Sequence, residues 1–472
     1  MSDTDGNNLT SLLLLEHPTP DDDNITANAS RGITDKYRRV VTITTYGFAL
    51  AALVSVLSTR YKHQTQFQTP EPFSSINPFA LKNSSVEDKW IEVGSELDGS
   101  LDYGNFGFDV AISDNATILV IGEPYEKMSA DMGTLRVFRL NTTEDKYHEI
   151  ADPINGQEDD DNFGWSVAVT SDGDWIAASA PNQKNRTGAV RFFQVAKGNG
   201  FKRMHKRGIE FGDEMGDYFG FSIAMSDPVP VNDTHIARVV VGAPAPDSSD
   251  KLGYARVMEV DFARKQWERV GTDINGAMGE LFGSAVGMSS GGNVVVVGTP
   301  PKNKVSVYFQ SGLDWMQQGE DIVIEGGTET TQCGASVDVS ADGKKVVIGC
   351  ELSDTVHTYY WKDGVWKPIG KGIKGDEGIG QSVSMSARGS ELSFGEPLFG
   401  DDARGRVKIF YWDKEIHDWA MVDEVEGNPA DKAGSSVSIS ARGDYFAMGA
   451  PYDSNEKGDT IMSGEVRVFK RP

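Results

Sequence analysis

Between Trp90 and the C-terminus four sequence anchors return in each of seven successive units, and no other property of the chain limits its fold so strongly. An aromatic–glycine pair opens the units at Phe106-Gly107, Phe163-Gly164, Phe219-Gly220 and Phe282-Gly283. It persists in weakened form at Cys333-Gly334, Ile379-Gly380 and Ala433-Gly434. Sixteen residues after the first member of each pair stands a second anchor, as at Gly122-Glu123-Pro124, Ser179-Ala180-Pro181, Gly298-Thr299-Pro300, Gly349-Cys350-Glu351, Gly395-Glu396-Pro397 and Gly449-Ala450-Pro451. Only the third unit breaks the interval: Gly242-Ala243-Pro244 arrives 23 residues on, after an insertion at 227–235. The third anchor is an alternating apolar run at 133–138, 188–193, 253–258, 303–308, 354–359, 405–410 and 464–469. A Trp-led segment is the fourth, at Trp90, Trp267, Trp315, Trp366 and Trp419, with Tyr147 and Phe201 in the same role.

Each unit spans about 54 residues and holds four short period-2 segments divided by turn residues, which is the content of one four-stranded propeller blade. We name the strands A (after the aromatic–glycine pair), B (ending in the Gly-Ala-Pro anchor), C (the alternating run) and D (the Trp segment). The A–B connections, such as Ser171-Asp172-Gly173-Asp174 and Ser340-Ala341-Asp342-Gly343, carry the glycine that a tight hairpin needs for positive φ. The repeat region begins with a D strand (Trp90–Val93) and ends with a C strand (Glu465–Phe469). The first strand therefore completes the last blade and leaves no open edge. The expectation is an all-β, seven-bladed β-propeller of four-stranded antiparallel blades over 90–472, preceded by one transmembrane helix.

The aromatic–glycine to Gly-Ala-Pro spacing and the Gly-x-Val-x-Val-Phe strand resemble FG-GAP repeats, the blades of the integrin α-subunit head. That resemblance covers about 380 residues and implies a seven-bladed propeller outside the cell that binds protein or matrix ligands. Several blades of that family bind Ca2+ through an Asp-rich A–B loop, because a hard cation wants several oxygens on a short arc. Here the A–B turns are four-residue hairpins with at most two carboxylates, so no calcium ligands carry over and no metal or cofactor is assigned. Integrin α subunits also hold their propeller before their membrane span, the reverse of the order here.

Residues 1–37, rich in Asp, Asn, Thr and Ser, lack the apolar content to offset chain entropy and read as a disordered cytosolic tail. Val40–Ser58 is an uncharged run of 19 residues, long enough for a membrane-spanning helix, placed at 38–60 as a signal anchor. Arg31, Lys36, Arg38 and Arg39 precede it and only Arg60 and Lys62 follow closely, so the tail is expected in the cytosol and the propeller outside the cell or in a secretory lumen. Residues 61–89 read as a stalk. N-glycosylation sequons begin at Asn83, Asn115, Asn141, Asn185 and Asn232 on the outer side, and at Asn8, Asn24 and Asn28 on the tail, where they should stay bare.

The formal charge of −25 excludes nucleic acid as a partner and favours cationic ones: Ca2+ and other metal ions, basic peptides, polyamines. In a propeller the D–A and B–C loops share one face, and the D–A segments carry 23 acids against Lys371, Lys374 and Lys432. Candidate binding residues on this face are Asp98, Asp102, Glu158, Asp159, Asp160, Asp161, Asp213, Glu214 and Asp217. An acidic protein also solvates its loops without binding anything, and that reading stands beside the functional one. Cys333 and Cys350 are equidistant from the Ser340–Gly343 turn, so they face each other across strands A and B as a disulfide or as two buried thiols. Arg442-Gly443-Asp444 occupies an A–B turn and is explained by the repeat. Asp109 and Asp338 replace small residues on inner strands, but no histidine partner, Gly-x-Ser-x-Gly elbow or phosphate loop accompanies them. The expected role is a non-catalytic, membrane-tethered module binding a protein, glycan or cationic ligand; the alternative is a glycan-processing enzyme at the central mouth.

Overall fold

A computed structural model describes residues 57–58 and 89–472, apart from 126–131, 197–203, 232–233, 249, 262–265, 325–330, 353–354, 376–377 and 455–460. Seven antiparallel sheets follow one another along the chain. Blade 1 is built from Asp109–Ile112, Ile118–Glu123, Thr134–Asn141 and Lys146–Glu149, paired in that order. Blades 2 to 6 repeat the order, beginning at Val167, Ser222, Ala285, Cys333 and Val383. Blade 7 takes Ser436–Ile439, Tyr445–Ala450 and Glu465–Lys470 from the C-terminus and its outer strand from Ile91–Glu92. There Ile91 lies opposite Lys470 and Glu92 opposite Phe469, and Val93 N donates to Val468 O at 2.8 Å. The two ends of the repeat region close the ring, as their complementary strand types require.

The repeat motif has a steric cause. A Cβ on Gly122 would overlap the carbonyl oxygen of Gly164, and Gly242, Gly298, Gly349, Gly395 and Gly449 stand in the same way against the aromatic–glycine Gly of the next blade. Those partner glycines are left-handed, as at Gly164 (φ +90°). At these six junctions neighbouring blades thus meet backbone to backbone where only glycine fits, while Ser179 faces Gly220 between blades 2 and 3. The aromatics Phe106, Phe163, Phe219 and Phe282 are buried. Three of them carry a strand-C arginine over the ring: Arg136, Arg191 and Arg256, at 4.9, 4.1 and 5.2 Å from the centroids.

Two rings of hydrogen bonds join the blades around the axis. On the inner strands a side chain of one blade accepts a backbone N–H of the next: Asp109 from Val167 (2.8 Å), Ser166 from Ile223 (3.1 Å), Ser222 from Val286 (3.1 Å), Asp338 from Met385 (2.6 Å), Ser384 from Ile439 (3.0 Å) and Ser438 from Ile112 (3.2 Å). At the A–B turns the bonds run between backbones: Asp114 N to Ser171 O, Asp227 N to Ser290 O, Ser290 N to Ala341 O, Ala341 N to Ala387 O and Ala387 N to Ala441 O. In the third unit Asp227 Oδ1 joins this ring by accepting Ser171 N at 3.3 Å. The rest of that insertion extends the A–B connection as a short hairpin, Val229–Val231 against 234–236.

Strand boundaries expected from the sequence are corrected at the D strands. Among the described residues, strand D resumes after a break in five blades, as at Leu97–Asp98 and Ile274–Met278. Asp98 therefore belongs to a strand, and the D–A connections are shorter than the acid-rich segments suggested. Strand D of blade 2 is Met204–Phe211, and Phe201 lies outside the described residues. The transmembrane helix is not shown: among the described residues no helix is long and apolar enough to cross a membrane. Of 38–60 only Leu57 and Ser58 are described, as a two-residue strand parallel to Ala224–Met225. Residues 1–37, the stalk up to residue 88, Asn83 and Asn232 lie outside the described residues.

Candidate functional site

The D–A and B–C connections share a face, because Asp161 before blade 2 accepts Gln183 Nε2 from the B–C loop at 3.1 Å. In the next blade Lys251 Nζ reaches Asp217 Oδ1 in the same way at 3.0 Å. Asp161, Asp217 and Asp431 each stand two residues before the aromatic–glycine position. All three are buried, with their carboxylates turned back on their own loops. Asp161 accepts the N–H of Gln157 (2.8 Å) and Glu158 (2.9 Å). Asp217 accepts those of Asp213 (3.2 Å) and Glu214 (2.9 Å), and Asp431 that of Asn428 (2.7 Å). These carboxylates fold the loop. Their spacing was visible in the sequence as a recurrent Asp-x-(Phe/Ala)-Gly.

The nine candidate acids therefore separate. Asp161 and Asp217 are structural. Partial burial of Asp213 opposes its ionisation, but the guanidinium groups of Arg269 and Arg256 beside it keep its carboxyl below the usual range. Glu214 pairs with Lys251 at 3.3 Å. Asp102 accepts Ile461 N at 3.2 Å. Asp98 and the run Glu158-Asp159-Asp160 are exposed, and among the described residues no basic side chain forms an ion pair with them.

One cluster on this face was not singled out from the sequence. Asp431, Asp453 and Glu465, all buried, each place a carboxylate oxygen within 4.8 Å of the other two. They come from the connection before blade 7, its B–C loop and the start of its last strand. Burial first, then the neighbouring carboxylates, push Asp453 up to about 7 and Glu465 up to about 8; burial raises Asp431 as well. Arg467 opposes this, but its guanidinium is committed to Glu92 at 3.2 and 2.7 Å and stands 3.6 Å from Glu465. Desolvation and like charge prevail over the one cation. Such a group is satisfied by shared protons or by a hard cation.

The remaining residues fall into structural roles. Asp109 and Asp338 are buried in the inner latch, and burial raises Asp109 well above its ordinary range despite the bonds from Val167 and Val110. Cys333 and Cys350 lie opposite each other and the structure joins their sulfurs. In Arg442-Gly443-Asp444, Asp444 accepts Ser440 Oγ at 2.6 Å within its own hairpin. Asn115 and Asn141 hold turn groups through Oδ1, at Thr117 Oγ1 (2.6 Å) and Thr143 N (3.0 Å). Asn185 is exposed in a left-handed turn of the B–C loop, φ 56° and ψ 45°.

No family model matches the sequence. Integrin alpha-PS3 of Drosophila melanogaster is 25% identical over 216 residues, 39% of this chain and 19% of that protein, so the chain spans about a fifth of the relative's length. Among solved structures, a Bacteroides uniformis protein provisionally named 6-phosphogluconolactonase superposes with a TM-score of 0.49 at 15% identity, covering 73% of this chain and 94% of its own. A Bacteroides fragilis protein of the same provisional name gives 0.47 at 10% identity over 68% and 84%.

Proposed function

We propose that this chain is a non-catalytic binding module, tethered to a membrane by one N-terminal helix, which presents its D–A face outside the cell or in a secretory lumen to a cationic protein ligand. The observation that carries the reading is the exposed Glu158-Asp159-Asp160 run, which has no basic ion-pair partner among the described residues. Uncompensated carboxylates on one rim raise the local concentration of cationic ligands and speed encounter. The partial likeness to integrin alpha-PS3 supports the reading, since resemblance to the blades of that family implies a ligand-binding head. The carboxylate trio of blade 7 adds negative charge on the same side as its protons leave.

The test uses the full chain and a labelled lysine homopeptide at low and physiological salt. Replacing Glu158, Asp159 and Asp160 by their amides is expected to weaken binding about tenfold at low salt, with the difference shrinking as salt rises. Equal affinity of parent and variant would overturn the assignment of the face. Topology is read by glycan mapping: sugar on Asn115 or Asn141 supports the orientation, and sugar confined to Asn24 or Asn28 reverses it.

A further inference from the structure

Asp161 spends only one of its two carboxylate oxygens on folding its loop. Oδ2 accepts the N–H of Gln157 and Glu158 at 2.8 and 2.9 Å and Nε2 of Gln183 at 3.1 Å. Oδ1 is buried and accepts no hydrogen bond among the described residues. Gln183 repeats the pattern. Its Nε2 also donates to Gln157 Oε1 at 3.3 Å, while its own Oε1 is buried without a donor. The two side chains are 1% and 2% exposed. Two buried oxygens left unmatched on groups that touch each other are costly, so they point to a ligand that the pair holds.

Blade 7 shows that these two positions bring their oxygens together. Asp431, like Asp161, stands two residues before the aromatic–glycine position, and Asp453, like Gln183, stands two residues after the proline of its Gly-Ala-Pro anchor. There the oxygens of both, with one of Glu465, lie within 4.8 Å of one another.

Blade 3 shows what the position takes. Asp217 folds its loop through Oδ2, as Asp161 does, and its Oδ1 holds the ammonium of Lys251 at 3.0 Å. Arg186 stands at the place of Lys251, two residues before the strand-C glycine, but pairs with Asp247 at 2.7 Å. Lys184 lies over the ring of Phe211, and Arg191 gives Nη1 to Asn155 O and lies over Phe163. Burial raises the Asp161 carboxyl above its ordinary range despite the loop N–H groups and the field of Arg191. Glu158, Asp159 and Asp160, all exposed, add three carboxylates to the same loop. A water molecule could satisfy the two unmatched oxygens but leaves that charge uncompensated. A hard cation answers both needs, and Ca2+ accepts irregular sets of about six to eight oxygens where Mg2+ demands a near-ideal octahedron.

We infer that Asp161 Oδ1 and Gln183 Oε1 form the buried half of a Ca2+ site on the D–A face of blade 2, completed from the solvent side by carboxylates of the 158–160 run and by water. The site lies outside the A–B turns and stands whether or not the rim also binds a basic protein.

Ca2+ binding is measured by calorimetry on the full chain in neutral-lipid nanodiscs, in excess Mg2+ and physiological salt. The parent is expected to bind with a dissociation constant of about 0.1–1 mM. Asp161→Asn keeps an oxygen for the N–H of Gln157 and Glu158 but turns an N–H2 donor toward the ion, and should weaken Ca2+ at least about tenfold. Gln183→Glu sets a second charge beside Asp161. Its unfolding midpoint is expected to lie below the parent's without Ca2+ and to climb further than the parent's as Ca2+ is added. Absence of Ca2+ binding by the parent overturns the site and leaves the two oxygens to water. Undiminished binding by Asp161→Asn overturns it too, and moves the ion to the blade 7 trio. So does a Gln183→Glu midpoint that Ca2+ raises no further than the parent's, a readout that holds even where Asp161→Asn unfolds its loop.

Discussion

Substituting Glu465→Gln tests the buried carboxylate trio most sharply, because glutamine copies the protonated acid and cannot ionise. Glu465 is 3% exposed and has Glu96, Asp453 and Asp431 around it, so burial and then like charge hold its proton up to about pH 8. In the unfolded chain the same group ionises near its ordinary value of 4.5. Between those two values the folded state binds a proton that the unfolded state has lost, so stability falls as pH rises from about 4.5 to about 8. At about 1.36 kcal/mol per pH unit the full penalty reaches about 5 kcal/mol above pH 8, an upper bound because Asp453 and Asp431 share the same protons. The variant is therefore expected to match the parent near pH 4 and to exceed it by several kcal/mol near pH 9. Urea unfolding of the full chain, followed by tryptophan fluorescence at several pH values, reads this as diverging midpoints. Parallel profiles for parent and variant across the whole range would refute the account of the cluster.

Three further outcomes follow from the fold. Asp109→Ala strips the acceptor from Val167 N and Val110 N inside the ring, and a lower unfolding midpoint, worth about 1–3 kcal/mol, is expected in urea. Gly395→Ala drives a Cβ into the Gly434 carbonyl and is expected to cost about 1–3 kcal/mol; a neutral result in thermal unfolding would remove the steric reading of the repeat. Replacing Cys333 and Cys350 together by alanine opens a link between residues 17 apart, with an expected loss of about 3 kcal/mol. Reductant should lower the parent's midpoint and leave the variant's where it is.

The ring is legible along the chain itself. Seven units with glycine at one fixed place, and at a second in all but the Ser179 unit, specify blades that meet backbone to backbone, since a Cβ at Gly122 or Gly395 has no room. A D strand at one end and a C strand at the other dictate closure, and the midpoint of Cys333 and Cys350 places them face to face. These features are local or periodic, so they survive in one dimension. The fate of each carboxylate does not. Asp161 and Glu158 are three residues apart and look alike in the sequence, yet one is buried against its own loop and the other stands in solvent. The trio of Asp431, Asp453 and Glu465 assembles from three separate segments of blade 7. Burial and proximity between such segments arise only when the blades are stacked, because they depend on which loops the ring brings to one face rather than on any spacing along the chain.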